Sequence, residues 1–313
     1  MIFHRVLFER TIDNKKRETL EAPVFFSDIN LDQIIDAITA GKEEYNLKPF
    51  YYTSLNDIDA INYRHEVMRD LENKILVEHI KSFAQKMRTM RKHLVQADEL
   101  HYKYQKKRWF MDAAEIYCDA VNGLVLDLTH VDLKSRGLLA FHEYMTNYAN
   151  SSRFLSLLTE TKTLKAELST IKYCLLIKGS RVKVCKFNSE MDYSYDVEKT
   201  FDKFKQGAVK DYRVDFSTLP NMNHVEAGLW DLVARLYPYV FSNLDYYCAK
   251  NGNYLNETTA PFDREIQVYV AYLEHIARFN QVGLKFCYPQ ISDNSKEVRG
   301  LYSVFHGAQE RTR

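Results

Sequence analysis

The feature that most constrains the fold is a long stretch without helix-breaking residues. Between Ser54 and Gly123 the sequence contains neither glycine nor proline, so local chemistry does not interrupt a helix there. Within this stretch, apolar residues recur at alternating spacings of four and three, which is the a/d seam of a heptad repeat. The seam residues are Leu76, Ile80, Phe83, Met87, Met90, Leu94, Ala97, His101 and Tyr104. The pattern predicts one continuous helix from about Asn73 to Arg108, roughly 50 Å long at 1.5 Å per residue.

A second heptad seam lies near the end of the sequence. Its residues are Leu255, Thr259, Phe262, Ile266, Tyr269, Leu273, Ile276 and Asn280, and Gly283 follows. Pro261 interrupts the start, so we expect the regular helix to begin there, with the proline in its first turn. The two seams predict an outgoing and a returning helix that pair, although either could instead meet a third helix or another subunit.

The composition also favours helices, because the 313 residues include only 10 glycines and 6 prolines. Asn30 and Gln33 predict a capping box for a short helix, and Ser54 is the predicted N-cap of the next one. Further helices are predicted over residues 138–149, 152–168, 195–206 and 224–236. We therefore expect a mainly α fold, an elongated multi-helix bundle with long lever helices and a small inserted β-hairpin.

The β-hairpin is predicted between Ser169 and Phe187. Gly179-Ser180 suits a two-residue type II′ loop, because glycine accepts positive φ at the first central position. The loop sets a register in which Lys178 lies opposite Arg181. One face is then apolar and carries Ile171, Tyr173, Leu175, Ile177, Val182 and Val184. The opposite face carries Lys172, Lys178, Arg181 and Lys183.

The five cysteines include no C-x-x-C pair, and their odd number argues against a closed disulfide framework. Cys174 and Cys185 lie opposite each other in the predicted register. We interpret them as two small, half-buried side chains of a protein in a reducing compartment. The N-terminus lacks a signal sequence, and no stretch approaches the roughly 20 apolar residues of a membrane helix. These features predict a soluble, cytoplasmic protein.

The sequence contains no complete catalytic, nucleotide-binding or metal-binding motif. Its glycines are scattered singly, so neither G-x-x-x-x-G-K-[ST] nor G-x-G-x-x-G occurs. The pairs His65-Glu66 and His142-Glu143 lack the second histidine of H-E-x-x-H. A G-x-S-x-G nucleophile elbow is also missing. We therefore predict that this chain is not an enzyme and carries no cofactor or metal of its own.

The basic residues form three local clusters. The 43 Lys and Arg nearly balance the 42 Asp and Glu, which excludes a globally basic nucleic-acid-binding protein but not a local contact. Two clusters lie on predicted helices and are typical of a solvated surface. They are Lys86, Arg88, Arg91 and Lys92, and then Lys103, Lys106, Lys107 and Arg108, which precede Trp109. The third is the hairpin face, whose cations share one side of a rigid ribbon and can engage phosphates.

Several stretches resemble a bacterial subgroup of the MutS family of DNA mismatch-repair ATPases, over roughly residues 22–298. They are FFSDINLDQIIDAITAGKEEYNLKPFYYT, DAINYRHEVMRDLEN, FDREIQVYVAYLEHIA and the ending LKFCYPQISDNSKEV. In that family, lever helices join a DNA-encircling clamp to a C-terminal ATPase domain. The resemblance implies that this chain is the lever and clamp region without the ATPase domain, so ATP and Mg²⁺ would belong to full-length relatives.

The resemblance also implies partners and contacts. Duplex DNA would bind weakly to this chain alone, a homodimer would form through the missing domain, and no membrane contact is expected. The candidate DNA contacts are Lys172, Lys178, Arg181, Lys183 and Lys186.

The same resemblance divides the chain into three parts. Residues 1–72 would form an N-terminal helical core segment. Residues 73–282 would form the lever helices and an inserted, clamp-like region with the hairpin at about 169–187. Residues 283–313 would be the truncated start of the ATPase domain and a tail unlike the family. The alternative hypothesis is a helical scaffold or oligomerisation protein that uses its heptad seams without nucleic acid.

Overall fold

The computed structural model describes residues 5–9, 18–55, 57–179, 181–190, 193, 199 and 224–291. These ranges contain eleven α-helices, a short 3-10 helix and one antiparallel two-stranded sheet. The helices are α1 Phe25–Asp28, α2 Leu31–Thr39, α3 Lys48–Tyr52, α4 Ile58–Asp70, α5 Lys74–Glu99, α6 Lys103–Thr129, α7 Arg136–Ala149, α8 Ser152–Ser169, α9 His224–Leu236, α10 Pro238–Lys250 and α11 Thr259–Asn280. The strands are β1 Tyr173–Lys178 and β2 Arg181–Lys186.

The prediction of a mainly α fold with a small β-hairpin is confirmed. Among the described helices, none combines the length and the apolar character needed to cross a lipid bilayer. The helix predicted over residues 195–206 lies, apart from Lys199, outside the described ranges.

The first heptad seam is divided between two helices, so the prediction of one continuous helix from Asn73 to Arg108 is wrong. Helix α5 ends at Glu99 and α6 begins at Lys103. No glycine or proline lies at the break, so intrinsic propensity does not cause it. Leu100 is buried at the break, whereas His101, which a continued heptad would place in the seam, is exposed. Burial of Leu100 thus takes precedence over the heptad.

The second seam forms α11, as predicted. The helix ends at Asn280, Pro261 lies in its first turn, and Gly283 follows with φ +89°. The two seams also meet, because the rings of Phe83 on α5 and Phe262 on α11 have centroids 6.1 Å apart. The predicted pairing of an outgoing and a returning helix is confirmed at this contact.

Asn30 occupies the predicted N-cap position of α2, but the predicted capping box does not form, and the predicted N-cap Ser54 is wrong. Asn30 has φ +56° and caps no backbone N–H with its side chain. Its Oδ1 instead accepts a hydrogen bond from Gln33 at 3.2 Å. Helix α4 begins at Ile58, after Asp57 rather than Ser54, and the Asp57 carboxylate accepts from the N–H of Asp59 at 3.0 Å. Several residues in each region can cap a helix, and side-chain geometry selects among them.

The chain divides into two compact units. The first unit comprises residues 1–88, 117–155 and 255–313, and the second comprises residues 89–116 and 156–254. In the first unit, Phe262 stacks on Phe141 with centroids 3.4 Å apart. In the second unit, the hydroxyls of Thr161 and Tyr247 share a buried hydrogen bond of 2.6 Å. Each unit therefore has its own packed interior.

Two carboxylates of α4 bind the N-terminus of α7. Asp70 accepts from the backbone N–H groups of Lys134 and Ser135, the latter at 2.8 Å. Glu66, one turn earlier, accepts from the N–H of Arg136 at 3.2 Å. These bonds satisfy N–H groups that a helix start leaves without intrahelical partners, and the negative charge suits the positive end of the helix dipole.

Candidate nucleic-acid interface

The hairpin forms in the predicted register. Lys178 lies opposite Arg181, Cys174 opposite Cys185 and Tyr173 opposite Lys186. Gly179 opens the connection with φ +60°, which glycine adopts without the steric penalty of a Cβ. Ser180 lies outside the described residues. The predicted positive φ at the first loop position is confirmed.

The open end of the hairpin is anchored by α9 and by the residue before α10. The Tyr237 hydroxyl donates to the carbonyl oxygen of Lys172, and the N–H of Phe187 donates to the same oxygen at 3.4 Å. The ring of Tyr173 lies edge-on to Trp230 of α9, with centroids 6.3 Å apart. These contacts fix the base of the ribbon and leave its loop at the other end.

Three cations lie together on one face of the strands. Lys178 and Arg181 are directly opposite each other, and Lys183 follows on the same face, opposite Leu176. All three are exposed, and none has an ion-pair or hydrogen-bond partner for its side chain among the described residues. Lys172, just before β1, is also exposed, and the alternation of side chains along the strand places it on the same face. We call Lys172, Lys178, Arg181 and Lys183 the basic face.

Lys186 does not belong to the basic face. It pairs with Tyr173, so its side chain lies on the other side of the ribbon. Its Nζ lies 5.3 Å from the centroid of the Tyr237 ring, a distance at which a cation and an aromatic ring attract each other. Of the five candidate DNA contacts, the structure thus groups four and assigns Lys186 to the packing of the base.

The apolar face is covered unevenly. The register groups the predicted apolar residues, but Ile177 near the loop is 72% exposed, whereas Tyr173 at the base is only partly so. Leu176, on the basic face, is 51% exposed. Packing against α9 therefore stabilises the base of the hairpin rather than its tip.

Cys174 and Cys185 are free and half-buried, as predicted. Desolvation raises the pKa of the Cys174 thiol, and the Glu190 carboxylate and Cys185 raise it further. Burial raises the pKa of Cys248 to about 11. A raised pKa keeps a thiol protonated at neutral pH, and the thiolate is the nucleophilic form. Cys174 and Cys248 therefore lack the lowered thiol pKa of an activated nucleophile.

The helical basic clusters make contacts within their own units. In the first unit, Arg88 pairs with Glu44 at 2.5 Å and Lys86 donates to the carbonyl oxygen of Asp119 at 3.4 Å. In the second unit, Lys103 and Lys107 both bind the carboxylate of Asp245. Burial alone would raise the pKa of Asp245, but the hydrogen bonds from Lys103 and Lys107 outweigh it and lower the pKa.

The rest of the second helical cluster is also engaged. Arg108 lies 3.6 Å from Asp112, one turn further along α6. Lys106 donates to the carbonyl oxygen of Asp98 at 3.4 Å, and Trp109 lies edge-on to His93. Such contacts agree with the interpretation of the two helical clusters as ordinary helix surface. The basic face of the hairpin therefore remains the candidate phosphate-binding site.

The sequence did not reveal a cavity of about 810 Å³ in the first unit, bounded by α4, α5, α11 and residues 286–289. Its most unusual lining residue is Arg64, which no motif singles out. The residues that line the cavity are far apart in the sequence, so no local pattern marks them.

Comparison of the chain with models of known families, with curated proteins and with solved structures found no match.

Proposed function

We propose that this chain is the lever and clamp part of a MutS-like, cytoplasmic DNA-repair ATPase, and that its basic face contacts the phosphate backbone of duplex DNA. The observation that carries the proposal is the grouping of Lys178, Arg181 and Lys183 on one face of the ribbon, exposed and without partners in the described chain. No ATP hydrolysis is assigned to this chain.

The local charge of the hairpin supports this proposal. The two strands contain four basic residues and no acidic residue, in a chain whose formal net charge is only +1. Phosphate contacts from lysine and arginine release counterions from DNA, so the binding constant falls as salt rises. Three such contacts predict weak binding that is strongest at low salt.

The long helices supply the second part of the proposal. The seam residues of α5 and α11 that meet at Phe83 and Phe262 join distant parts of the chain. In a full-length protein, a pair of helices packed in this way would transmit a displacement between a DNA-binding part and an ATPase part. We therefore propose that α5 and α11 act as the levers.

The test replaces Lys178, Arg181 and Lys183 together with glutamate and measures binding to a plain duplex by fluorescence anisotropy at several low salt concentrations. A matched control replaces three other lysines with glutamate. These lysines are exposed and have no side-chain partner in the described ranges: Lys92, Lys162 and Lys285. Both triple variants change the net charge equally. Circular dichroism checks that both retain the helical content of the wild type.

The hairpin variant should bind more weakly, and the slope of log K against log salt should become shallower by about 2.7, or 0.9 for each lost phosphate contact. The control should keep a slope close to that of the wild type. Equal losses in the two variants would mean that only overall charge matters. Unchanged binding in the hairpin variant would contradict the proposal.

The alternative of an oligomerisation protein needs a seam that a partner can reach. Leu76, Ile80, Phe83, Met87 and Met90 are each at most 2% exposed. On α11, Phe262, Ile266 and Tyr269 are buried too. The chain itself covers these positions, so their burial favours the lever interpretation over a free docking seam.

A further inference from the structure

The cavity in the first unit has the size and lining of a small-molecule site. Its volume of about 810 Å³ lies within the range of about 300–1,000 Å³ typical of ligand pockets. Most lining side chains are apolar or aromatic, among them Met68, Val77, Tyr272 and Ile276. Such a lining favours the apolar body of a ligand, because burial removes apolar surface from water.

Arg64 is the exceptional residue in this lining. Its Nε–H donates to the carbonyl oxygen of Leu7 at 3.1 Å, and its Cζ lies 5.0 Å from the centroid of the Phe8 ring. Its Nη2 is shielded from water and finds no acceptor among the described residues. A guanidinium has five N–H donors, and leaving them unsatisfied in a buried setting costs free energy.

The Glu265 carboxylate does not hydrogen-bond to Arg64. The charge of Glu265 acts on Arg64, whose pKa is lowered chiefly by burial. However, the Glu265 oxygens already accept from the Arg5 guanidinium at 2.9 Å and from the N–H groups of Val6 and Leu7 at 3.1 and 3.3 Å. Arg64 therefore lines the cavity and keeps N–H donors that no described residue accepts.

The other charged lining residues are paired or exposed. Lys81 bridges to Glu274 at 3.1 Å and to Glu78 at 3.4 Å. Glu72 accepts from the Tyr288 hydroxyl at 2.6 Å. Lys74 is exposed at the start of α5, where water solvates its ammonium group. Three carboxylates near the cavity would repel a ligand with more than one negative charge.

The wall formed by residues 286–289 is held in place by aromatic contacts. The Tyr288 ring lies edge-on to His65, with centroids 5.3 Å apart, and the Cζ of Arg69 lies 4.8 Å from the Tyr288 centroid. Phe286 contacts Phe279 at 6.2 Å between centroids. With these side chains fixed, the cavity has a defined shape, which lowers the ordering cost of binding.

We propose that this cavity binds a small apolar carboxylic acid, with its carboxylate on the Arg64 guanidinium and its apolar body against α4, α5 and α11. The carboxylate matches the planar donors of arginine, and its single charge tolerates the neighbouring glutamates. This site is independent of DNA contact by the hairpin.

The test uses decanoate as the probe and 1-decanol as its neutral analogue, each titrated by calorimetry into the full chain at neutral pH. Decanoate should bind with one-to-one stoichiometry and about tenfold or more tighter than 1-decanol, as expected for a charge-assisted hydrogen bond. Equal affinities, or no decanoate binding below its micelle concentration, would overturn the proposal.

Two variants locate the site. Arg64→Met should weaken decanoate to the level of 1-decanol and leave 1-decanol unchanged. Ala277→Trp, at an exposed position of the lining, should weaken both probes by filling the cavity, and it avoids the risk that loss of Arg64 impairs folding. Ala249→Trp, at an exposed position of α10 outside the lining, is the matched control and should change neither affinity. Unchanged decanoate binding to Ala277→Trp would refute this location.

Discussion

The rings of Phe83 and Phe262 lie with their centroids 6.1 Å apart and a tilt of 59° between their planes. Phe83 belongs to the first heptad seam and Phe262 to the second, so this contact joins two seams that the sequence separates widely. The Phe262 ring also stacks on the ring of Phe141 of α7, with an interplanar angle of 8°. Phe262 is therefore the side chain at which three helices of the first unit meet.

Replacement of Phe262 by alanine should lower the free energy of unfolding by about 3–5 kcal/mol, because it removes a buried ring and leaves a cavity. Urea denaturation followed by circular dichroism measures the change. Leu126→Ala is the control, because Leu126 is 61% exposed on α6 in the same unit, and its effect should stay within about 0.5 kcal/mol. Similar losses in both variants would contradict a central role for the Phe262 contact.

Gly137→Ala should destabilise the protein although alanine normally favours a helix. A Cβ at position 137 would lie 2.8 Å from the Tyr63 hydroxyl and 2.9 Å from Cγ2 of Val67. Both neighbours are buried, so overpacking should cost about 1–3 kcal/mol. Thermal unfolding monitored by circular dichroism checks this.

Gly228→Ala in α9 is the matched substitution, because a Cβ there meets nothing within 4 Å. It should stabilise its helix by about 0.5–1 kcal/mol through the lower entropy cost of alanine. The two substitutions should therefore change the stability in opposite directions. A gain in stability for Gly137→Ala would show that Tyr63 and Val67 can move aside for the added Cβ.

Arg136→Met should lower the free energy of unfolding at neutral pH and should also reduce how much that free energy falls in acid. Arg136 donates to Glu66 and also pairs with Glu9 at 2.8 Å and Asp59 at 3.3 Å. Partial burial would raise the pKa of Glu66, but the Arg136 hydrogen bonds outweigh burial and lower it from 4.5. Because the network is partly exposed, the loss at neutral pH should be about 1–2 kcal/mol.

The sign of the pH effect follows from the lowered pKa. The folded protein binds a proton on Glu66 less readily than the unfolded chain, so the stabilisation is present above pH 4.5 and is lost as pH falls through the lower folded-state value. Urea titrations at neutral and acidic pH should therefore show the gap between wild type and Arg136→Met closing in acid. A constant gap would assign the loss to packing instead of charge.

Cys174 and Cys185 should cross-link when the protein is treated with an excess of a small oxidised disulfide. Opposite residues of an antiparallel pair have Cα atoms about 4.5–5.5 Å apart, within the range of about 4.4–6.8 Å that a disulfide spans. Each cross-link releases two equivalents of the small thiol, and mass spectrometry of a proteolytic digest detects the joined peptides. Because the raised pKa of Cys174 keeps it largely protonated, the reaction should accelerate as pH rises.

The helix boundaries show how far the sequence could predict this fold. Helix α9 spans His224–Leu236, the predicted range, because its apolar residues follow a helical period. The hairpin register was also predictable, since a two-residue loop at Gly179 leaves one pairing of the strands. The break after Glu99 was not, because it accompanies the burial of Leu100, which no local sequence pattern marks.

The candidate sites divide in the same way. The alternation of the strands predicted that Lys178, Arg181 and Lys183 share a face, whereas the position of Lys186 over the Tyr237 ring depends on where the helix after the hairpin packs. Asp245 accounts for two cations of a helical cluster, and nothing in the sequence near Lys103 indicates it.

By itself, the sequence determined the helical class, the two seams and the hairpin register, because each follows from the spacing of residues within one segment and from the conformational limits of glycine and proline. The tertiary structure decided where the first seam breaks, which cations find no partner among the described residues, and that Arg64 lines a cavity. Those properties depend on which residues become neighbours after folding, and burial and pairing free energies are set by such neighbours rather than by position along the chain.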